Sequence, residues 1–184
     1  MLLGWQRYKD GRQIGSGDVL DDALAARHTG DFVWIRVTEP HAGEIQQLAE
    51  EFGLPELAVE DAVQAHQRPK LERYDDTLFA VLKPAIYDDD SESITLGEVH
   101  VFSGPDYCIT VRHGVVGTLD DVCRRLDDSP ELTALGAAAV LYTVADQIVD
   151  AYTPVIAGLE YDITEIERAV FEPEVQPPTE RSMP

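Results

Sequence analysis

A helical stripe of apolar residues in the C-terminal third of the chain restricts its fold more than any other pattern. From about residue 130 to residue 171, apolar side chains recur at every third or fourth position. The stripe consists of Ala145, Ile148, Tyr152, Val155, Leu159, Ile163, Ile166 and Val170. At 1.5 Å per residue, such a helix extends beyond a small domain, and its stripe requires a partner. Pro154 cannot donate to the carbonyl of Asp150, so we expect a kink there.

The first part of the chain predicts a buried strand followed by two helices. Residues 33–37 are apolar and mostly β-branched, which is typical of a buried strand. Thr38 and Pro40 then predict a helix start, with Thr38 as the cap and Pro40 in the first turn. Gly53 ends this helix, and a second short helix runs over 55–63.

The middle of the chain predicts consecutive strands. Apolar runs cover 77–87, 94–102 and 107–112, and short polar turns separate them. Strands joined by short turns form an antiparallel meander. The next segment, 116–126, has the pattern of a helix.

Together these elements predict an α/β fold. We expect an α/β/α sandwich with a mixed, partly antiparallel sheet and a long C-terminal helix. In domain terms, residues 1–130 are an α/β domain, and residues 131–172 are a long helix or helices packing on it. The proline-rich residues 173–184 are expected to form a flexible tail.

The charge of the chain limits the partners it can have. Thirty-five acidic residues against 14 basic ones leave a net charge of −21, which repels nucleic acid and anionic lipid and attracts cations. No apolar run approaches the ~18 residues that cross a bilayer, and the N-terminus lacks a secretory signal. We therefore expect contact with neither nucleic acid nor membrane from these residues.

The spacing of Cys108 and Cys123 matches no zinc site and indicates a reducing compartment.

Two pairs of carboxylates are candidate metal ligands. Glu60 and Asp61 point about 100° apart on the second short helix, so they cannot chelate one ion alone but could serve two sites at a subunit boundary. Asp146 and Asp150 share one helix face, where a cation would relieve their repulsion. From spacing alone, a solvated helix face is the favoured explanation of each pair. If a metal binds, carboxylates favour Mg²⁺ or Ca²⁺ over soft metals.

The segment His66-Gln-Arg-Pro-Lys-Leu-Glu72 is the most distinctive in the chain. Pro69 forces Arg68 towards extended geometry, which predicts a connection from helix to strand. An imidazole near Glu60 and Asp61 raises acid–base catalysis as an alternative. No activated nucleophile or glycine-rich phosphate loop accompanies His66, so a structural role is favoured and the chain is not expected to be an enzyme.

The segment 57–72, LAVEDAVQAHQRPKLE, resembles the signature of the CorA magnesium-transporter family. In that family, a Leu-x-x-Glu-Asp helix precedes His-Gln-Arg-Pro-Lys and a step into a strand. The strand 78–83, the Trp34-Ile35 strand and the helix 141–152 also resemble the family. These blocks occur in the family's order from about residue 32 to residue 171.

The resemblance implies the cytoplasmic α/β/α domain of a homopentameric transporter of magnesium and cobalt, on the cytoplasmic face of the membrane. Such a domain senses Mg²⁺ and gates the pore, while stalk and membrane helices outside this sequence conduct. By position, Asp61 belongs to one regulatory Mg²⁺ site and Glu60 with Asp146 to another, and Asp150 matches an often acidic position. Co²⁺ or other divalent cations are further candidates. The remaining ligand is an aspartate on the stalk of the adjacent subunit. A zinc transporter of the ZntB kind is the alternative.

Overall fold

The computed structural model describes residues 2–26, 31–114 and 116–171. Nine strands are found there: β1 Leu2–Lys9, β2 Arg12–Gly17, β3 Phe32–Thr38, β4 Lys70–Tyr74, β5 Thr77–Leu82, β6 Ala85–Asp88, β7 Ser93–Leu96, β8 Glu98–Ser103 and β9 Tyr107–His113. The helices are α1 Leu20–Ala26, α2 Ala42–Phe52, α3 Glu56–Gln64, α4 Asp120–Asp128, α5 Pro130–Thr133, α6 Ala138–Asp150 and α7 Tyr152–Phe171.

Seven of the strands form one mixed sheet in the order β2-β1-β3-β9-β8-β5-β4. The pairs β4–β5, β5–β8 and β8–β9 are antiparallel, which confirms the predicted meander. Only the central pair of this sheet, β3 with β9, is parallel within the described residues, in the register Val33↔Tyr107. The strands β6 and β7 form a separate hairpin.

Both faces of the sheet are covered by helices. The side chains of β3 alternate, so Val33 and Ile35 join a core with α2 and α3, whereas Trp34 joins a core on the opposite face. That second core contains Val122 of α4 and Val140 of α6. The predicted α/β/α sandwich is therefore confirmed.

The start predicted for the helix after strand 33–37 was wrong. Thr38 is still in the β ladder, opposite Arg112, and the helix α2 begins at Ala42. The carboxylate of Glu44 accepts the backbone N–H of His41 at 2.8 Å, which satisfies a donor at the true helix start. Strands β1 and β2 were not predicted, because β2 is almost wholly exposed and carries little apolar signal.

The two longest predicted strands are each interrupted. Pro84 separates β5 from β6, and Gly97 separates β7 from β8, and the Gly97 N–H donates to the Pro84 carbonyl at 2.8 Å. A Cβ on Gly97 would lie 2.8 Å from the Val116 carbonyl oxygen, so this close approach requires glycine. The chain therefore leaves the seven-stranded sheet after β5, forms the hairpin β6–β7 and returns to the sheet as β8.

The C-terminal helical region is divided into α5, α6 and α7 rather than continuous. The break between α6 and α7 falls at Ala151, and Pro154 lies in the first turn of α7, where a missing N–H is tolerated. The 20-residue α7 confirms the long C-terminal helix.

The predicted helix 116–126 begins later, as α4. The predicted tail 173–184 lies outside the described residues, and the domain division at residue 130 stays a prediction.

The helix α7 is held to the rest of the fold through its N-terminal half. The Tyr152 hydroxyl donates to the Lys83 carbonyl at 2.6 Å, and the Tyr87 hydroxyl of the hairpin donates to the Asp162 carboxylate. Beyond this point the apolar stripe is exposed, with Val170 at 69%. Among the described residues, nothing covers it. None of the helices described here is long and apolar enough to cross a bilayer.

A buried polar network secures the segment that follows α3. The Glu98 carboxylate accepts hydrogen bonds from the Lys83 ammonium, the His100 ring and the Gln67 N–H. Burial opposes ionisation of Glu98, but these donors outweigh it and hold the pKa of Glu98 below its usual value. Burial lowers the pKa of His100, so its imidazole is neutral at neutral pH.

This burial predicts a dependence of stability on pH. Since unfolding frees His100 to take up a proton below its ordinary pKa of 6.5, acid favours the unfolded chain. We expect the free energy of unfolding to fall as the pH drops below 6.5, with a slope approaching about 1.4 kcal/mol per pH unit from this group. Urea unfolding at a series of pH values measures the slope. His100→Gln should flatten it, and His66→Asn, at an exposed imidazole, should not; equal slopes in both variants would contradict the assignment.

A second prediction concerns the contact between α7 and the hairpin. Glycine inside a helix normally costs about 1 kcal/mol relative to alanine. A Cβ on Gly158, however, would lie 2.4 Å from the Tyr87 ring. We therefore expect Gly158→Ala to lower the free energy of unfolding by about 1–3 kcal/mol, as overpacking does.

The same substitution in a Tyr87→Ala background should instead be stabilising, because the obstructing ring is gone. Urea unfolding of the four proteins in this cycle gives the coupling. Ala157→Gly, one residue earlier on an exposed position, reports the helix propensity alone. A stabilising Gly158→Ala in the unchanged background would show that Tyr87 does not pack on α7.

Candidate metal centre

The helix α3 places its two acidic residues differently. Ala58, Val59 and Ala62 of α3 are buried against the sheet, which turns Glu60 out to solvent and leaves Asp61 at the edge of the buried face. The Glu60 carboxylate accepts a hydrogen bond from the Gln64 amide at 2.8 Å. Glu60 is therefore open to a ligand from outside the chain.

Asp61 already has a cation beside it. The Lys70 ammonium lies 2.7 Å from Asp61 and 2.8 Å from Glu72, and the Tyr74 hydroxyl donates to Glu72 at 2.9 Å. Hydrogen bonds to Asp61 and Glu72 raise the pKa of Lys70 above its ordinary value, and the bond from Lys70 lowers the pKa of Glu72. Two carboxylates around one ammonium leave a net negative charge, so the cluster still attracts a cation. Direct ligation by Asp61 has to use an oxygen that Lys70 does not hold.

The second pair lies on α6. Asp146 is paired with the Arg125 guanidinium of α4, which also lies 5.9 Å from the centre of the Tyr142 ring. The hydrogen bond to Asp146 raises the pKa of Arg125. Asp150 is exposed and is the last residue of α6, whose final turn holds no basic residue. A carboxylate at a helix C-terminus opposes the helix dipole, so a cation bound there would stabilise α6.

The structure does not bring the two pairs together. The helix α3 packs on one face of the sheet and α6 packs on the other, so Glu60 and Asp146 lie on opposite sides of the domain. Among the residues that the structure describes, no three His, Cys, Asp or Glu side chains are grouped to hold a metal ion. Oxygen donors of the kind that Mg²⁺ prefers are present, but they lie in two separate groups rather than in one site. We call these groups, Glu60 with Asp61 on α3 and Asp146 with Asp150 on α6, the acidic half-sites.

The surroundings of Glu60 are both acidic and apolar. A groove of about 380 Å³ between α2 and α3 is lined by Glu56, Val59, Glu60 and Val63. Next to it, Leu57 is 65% exposed. Large apolar side chains beside unpaired acids are typical of an interaction surface rather than of a solvated helix.

The connection 65–69 has a structural role. Ala65 and His66 both have positive φ, and the Gln67 N–H donates to the buried Glu98 carboxylate at 3.2 Å. The His66 side chain is exposed, and no hydrogen bond among the described residues joins it to Glu60 or Asp61. The carboxylate–imidazole pair that the enzyme alternative requires is therefore not formed.

Sequence reasoning missed the cations that pair with the predicted ligands. The partners of Lys70, Asp61 and Glu72, depend on the placement of β4 beside α3. Arg125 was not considered, since it is 21 residues away from Asp146 and only the packing of α4 on α6 joins them. The adjacent residues Arg124 and Arg125 in the predicted helix 116–126 were the available signal.

Comparison with known sequences points to one family. A family model described as a CorA-like Mg²⁺ transporter protein matches residues 29–182. The Bacillus subtilis protein YfjQ is 32% identical over 136 residues, which cover 74% of this chain and 41% of YfjQ. The cobalt/magnesium transport protein CorA of Thermotoga maritima is 26% identical over 163 residues, covering 88% of this chain and 46% of that protein. The chain thus spans less than half the length of these two relatives.

Solved structures show the same fold at low sequence identity. The full-length CmaX protein superposes with a TM-score of 0.70 at 16% identity, over 97% of this chain and 54% of CmaX. The soluble domain of CorA from Methanocaldococcus jannaschii gives 0.60 at 16% identity, over 91% of this chain and 64% of that one. The ZntB cytoplasmic domain from Vibrio parahaemolyticus gives 0.63 at 14% identity, covering 90% and 64%. Since the family model covers most of the residues and the fold agrees, the chain belongs to the CorA-like Mg²⁺ transporter family.

Proposed function

We propose that this chain is the cytoplasmic regulatory domain of a CorA-type divalent-cation transporter and that its carboxylates respond to intracellular Mg²⁺. Membership of the family and the fold of a CorA soluble domain support the general assignment. The placement of Glu60 and Asp61 on one side of the domain and Asp146 and Asp150 on the other carries the specific proposal.

Half-sites on opposite sides of a domain suit assembly into a ring. When the α3 surface of one subunit meets the α6 surface of the next, the contact is heterologous, and repetition around an axis closes a ring. Each boundary then combines two acidic half-sites that are incomplete alone. A homopentamer on the cytoplasmic face of the membrane is the assembly that we propose for the whole protein.

Electrostatic repulsion provides the sensing principle. Neighbouring domains that each carry a net charge of −21 repel one another unless cations lie between them. Lys70 and Arg125 offset only part of this charge, because Glu60 and Asp150 remain without a basic partner among the described residues. Bound Mg²⁺ supplies the missing positive charge, and it keeps several waters, so ligation of Asp61 does not require removal of Lys70.

Exposed apolar side chains support the proposal that the α3 and α6 surfaces are subunit interfaces. Leu57 and Leu71 flank the acids of α3, and Tyr142 and Val149 flank those of α6, each more than half exposed. Apolar groups next to charged ones are the composition of a subunit interface with a polar rim.

The chemistry of the proposed ligands favours Mg²⁺ over Zn²⁺ as the sensed ion, and similarity to a cobalt/magnesium transport protein supports Mg²⁺ and Co²⁺ as the transported ions. All four proposed ligands are carboxylates, which are hard oxygen donors, whereas zinc sites in proteins are built largely from Cys and His. The shared fold with a ZntB domain does not distinguish these ions. The zinc alternative is therefore decided by transport measurements on the whole protein.

The proposal predicts that loss of the ligands weakens closure. In the whole transporter, reconstituted in vesicles, Asp61→Ala combined with Asp146→Ala should raise the internal Mg²⁺ concentration needed for half-closure about tenfold, equivalent to ~1.4 kcal/mol. Flux of Mg²⁺ and Co²⁺ should continue at millimolar Mg²⁺, where the unchanged protein has closed.

A matched control removes a charge elsewhere. Asp90→Asn alters the turn between β6 and β7, away from both half-sites, and should leave the closing concentration unchanged. Closure of the double variant at the same Mg²⁺ concentration as the unchanged protein would contradict Mg²⁺ sensing by these residues. Flux of Zn²⁺ in preference to Mg²⁺ would support the ZntB-like alternative.

A further inference from the structure

A cavity at one end of the central strands is unrelated to the acidic half-sites. It has a volume of about 320 Å³ and is lined by Gly4, Arg36, Thr38, Arg112, Thr118 and Asp120. Its lining therefore brings two guanidinium groups and two hydroxyl groups together in a chain with only 14 basic residues. The volume lies at the lower end of the range for pockets that take small organic ligands, roughly 300–1,000 Å³.

The topology places this cavity at a switch point of the sheet. The parallel neighbours β3 and β9 both end here, with Thr38 paired to Arg112. After β3 the chain enters α2 on one face of the sheet, whereas after β9 it enters α4 on the other face. Connections that diverge in this way leave a crevice outside the carboxyl ends of the two strands, and α/β proteins bind ligands in such crevices.

Arg36 has donor groups that the protein leaves unused. Its guanidinium lies 5.3 Å from the centre of the Trp34 ring, and its Nη1 donates to the Cys123 sulfur, which is a weak acceptor. The Asp120 carboxylate is 4.0 Å away, beyond hydrogen-bond distance. The buried Nε of Arg36 has no acceptor among the described residues.

Arg112 is less restrained still. Among the residues that the structure describes, its side chain makes neither a hydrogen bond nor an ion pair, and it is only partly exposed. Three other cations of this acidic chain, Lys70, Lys83 and Arg125, contact carboxylates instead. A partly buried guanidinium with no partner in the described part of the chain, beside a second one with spare donors, is suited to an anionic ligand.

The backbone around the cavity also favours an anion. Gly4 lies opposite Arg36 in the ladder, and a Cβ there would approach its Nη2 to 3.0 Å, so glycine leaves the guanidinium its space. The nine-residue helix α4 begins at the cavity, and its cap residue, Leu119, has no side-chain oxygen to accept the first N–H groups. Free N–H groups and the helix dipole attract negative charge.

We propose that this cavity binds a small molecule bearing a phosphate group, held by Arg36 and Arg112 with Thr38 and Thr118 as further donors. The two arginines and Asp120 give the lining a local charge of +1, despite the net −21 of the chain. Asp120 is highly exposed at the rim and can turn away from an anion.

Isothermal titration of this chain with pyrophosphate, ADP and ATP tests the proposal. The buffer contains neither phosphate, sulfate nor divalent metal, so the outcome does not depend on the proposed Mg²⁺ sites. Arg112→Gln should weaken binding at least about tenfold, equivalent to ~1.4 kcal/mol. Equal affinity for pyrophosphate and ADP would show that the phosphate group alone is recognised, and tighter binding of the nucleotides would show that the cavity also takes the organic part. Both results support the proposal.

Arg124→Gln is the matched control. Arg124 lies on the same helix α4 with its side chain 75% exposed, pairs with Asp121 and does not line the cavity. This variant removes the same charge and should bind with unchanged affinity. Thr118→Val, which deletes one hydroxyl without a change of charge, should weaken binding to a smaller extent, and circular dichroism verifies that each variant is folded. Absence of binding at millimolar ligand, or equal losses in Arg112→Gln and Arg124→Gln, would overturn the proposal.

Discussion

The strand β3 is buried on both faces, and the arrangement of the whole domain depends on this constraint. Its alternating side chains, Val33 and Ile35 on one face and Trp34 on the other, require helices on both sides of the sheet. The chain meets that requirement by sending α2 and α3 to one face and α4 and α6 to the other. The acidic residues on α3 and α6 are separated as a result, and the phosphate-binding cavity opens where the two connections diverge.

The distribution of charge follows from this separation. Each acidic half-site contains a basic residue from a neighbouring element, Lys70 beside Asp61 and Arg125 beside Asp146. Both pairs reduce the local repulsion within this chain of net charge −21, whereas Glu60 and Asp150 form no salt bridge among the described residues. In the proposed assembly, subunit association and cation binding are linked, because a second chain would complete each half-site.

The sequence predicted the layers of the fold better than the boundaries of its elements. Apolar periods identified α3, the meander and the long C-terminal helix, since these elements bury a regular face. The start of α2 was misplaced because Thr38 pairs across the sheet. Two pairs of strands, β5 with β6 and β7 with β8, were each predicted as one strand, because Pro84 and Gly97 interrupt apolar runs without changing their hydropathy. Carboxylate ligands could be named from spacing and resemblance, whereas their partners Lys70 and Arg125 depend on tertiary packing.

The most direct test of the central claim is whether the α3 surface of one chain meets the α6 surface of another. Val63 on α3 and Val149 on α6 are exposed and lie on opposite faces, so cysteines at these two positions cannot be joined within one chain. In the whole transporter, Val63→Cys combined with Val149→Cys should yield a ladder of covalent oligomers with a short bismaleimide, and more of it in millimolar Mg²⁺ than without Mg²⁺. Each variant with only one of the two introduced cysteines measures the cross-linking that involves the native residues Cys108 and Cys123. The absence of a ladder at every Mg²⁺ concentration would contradict the account.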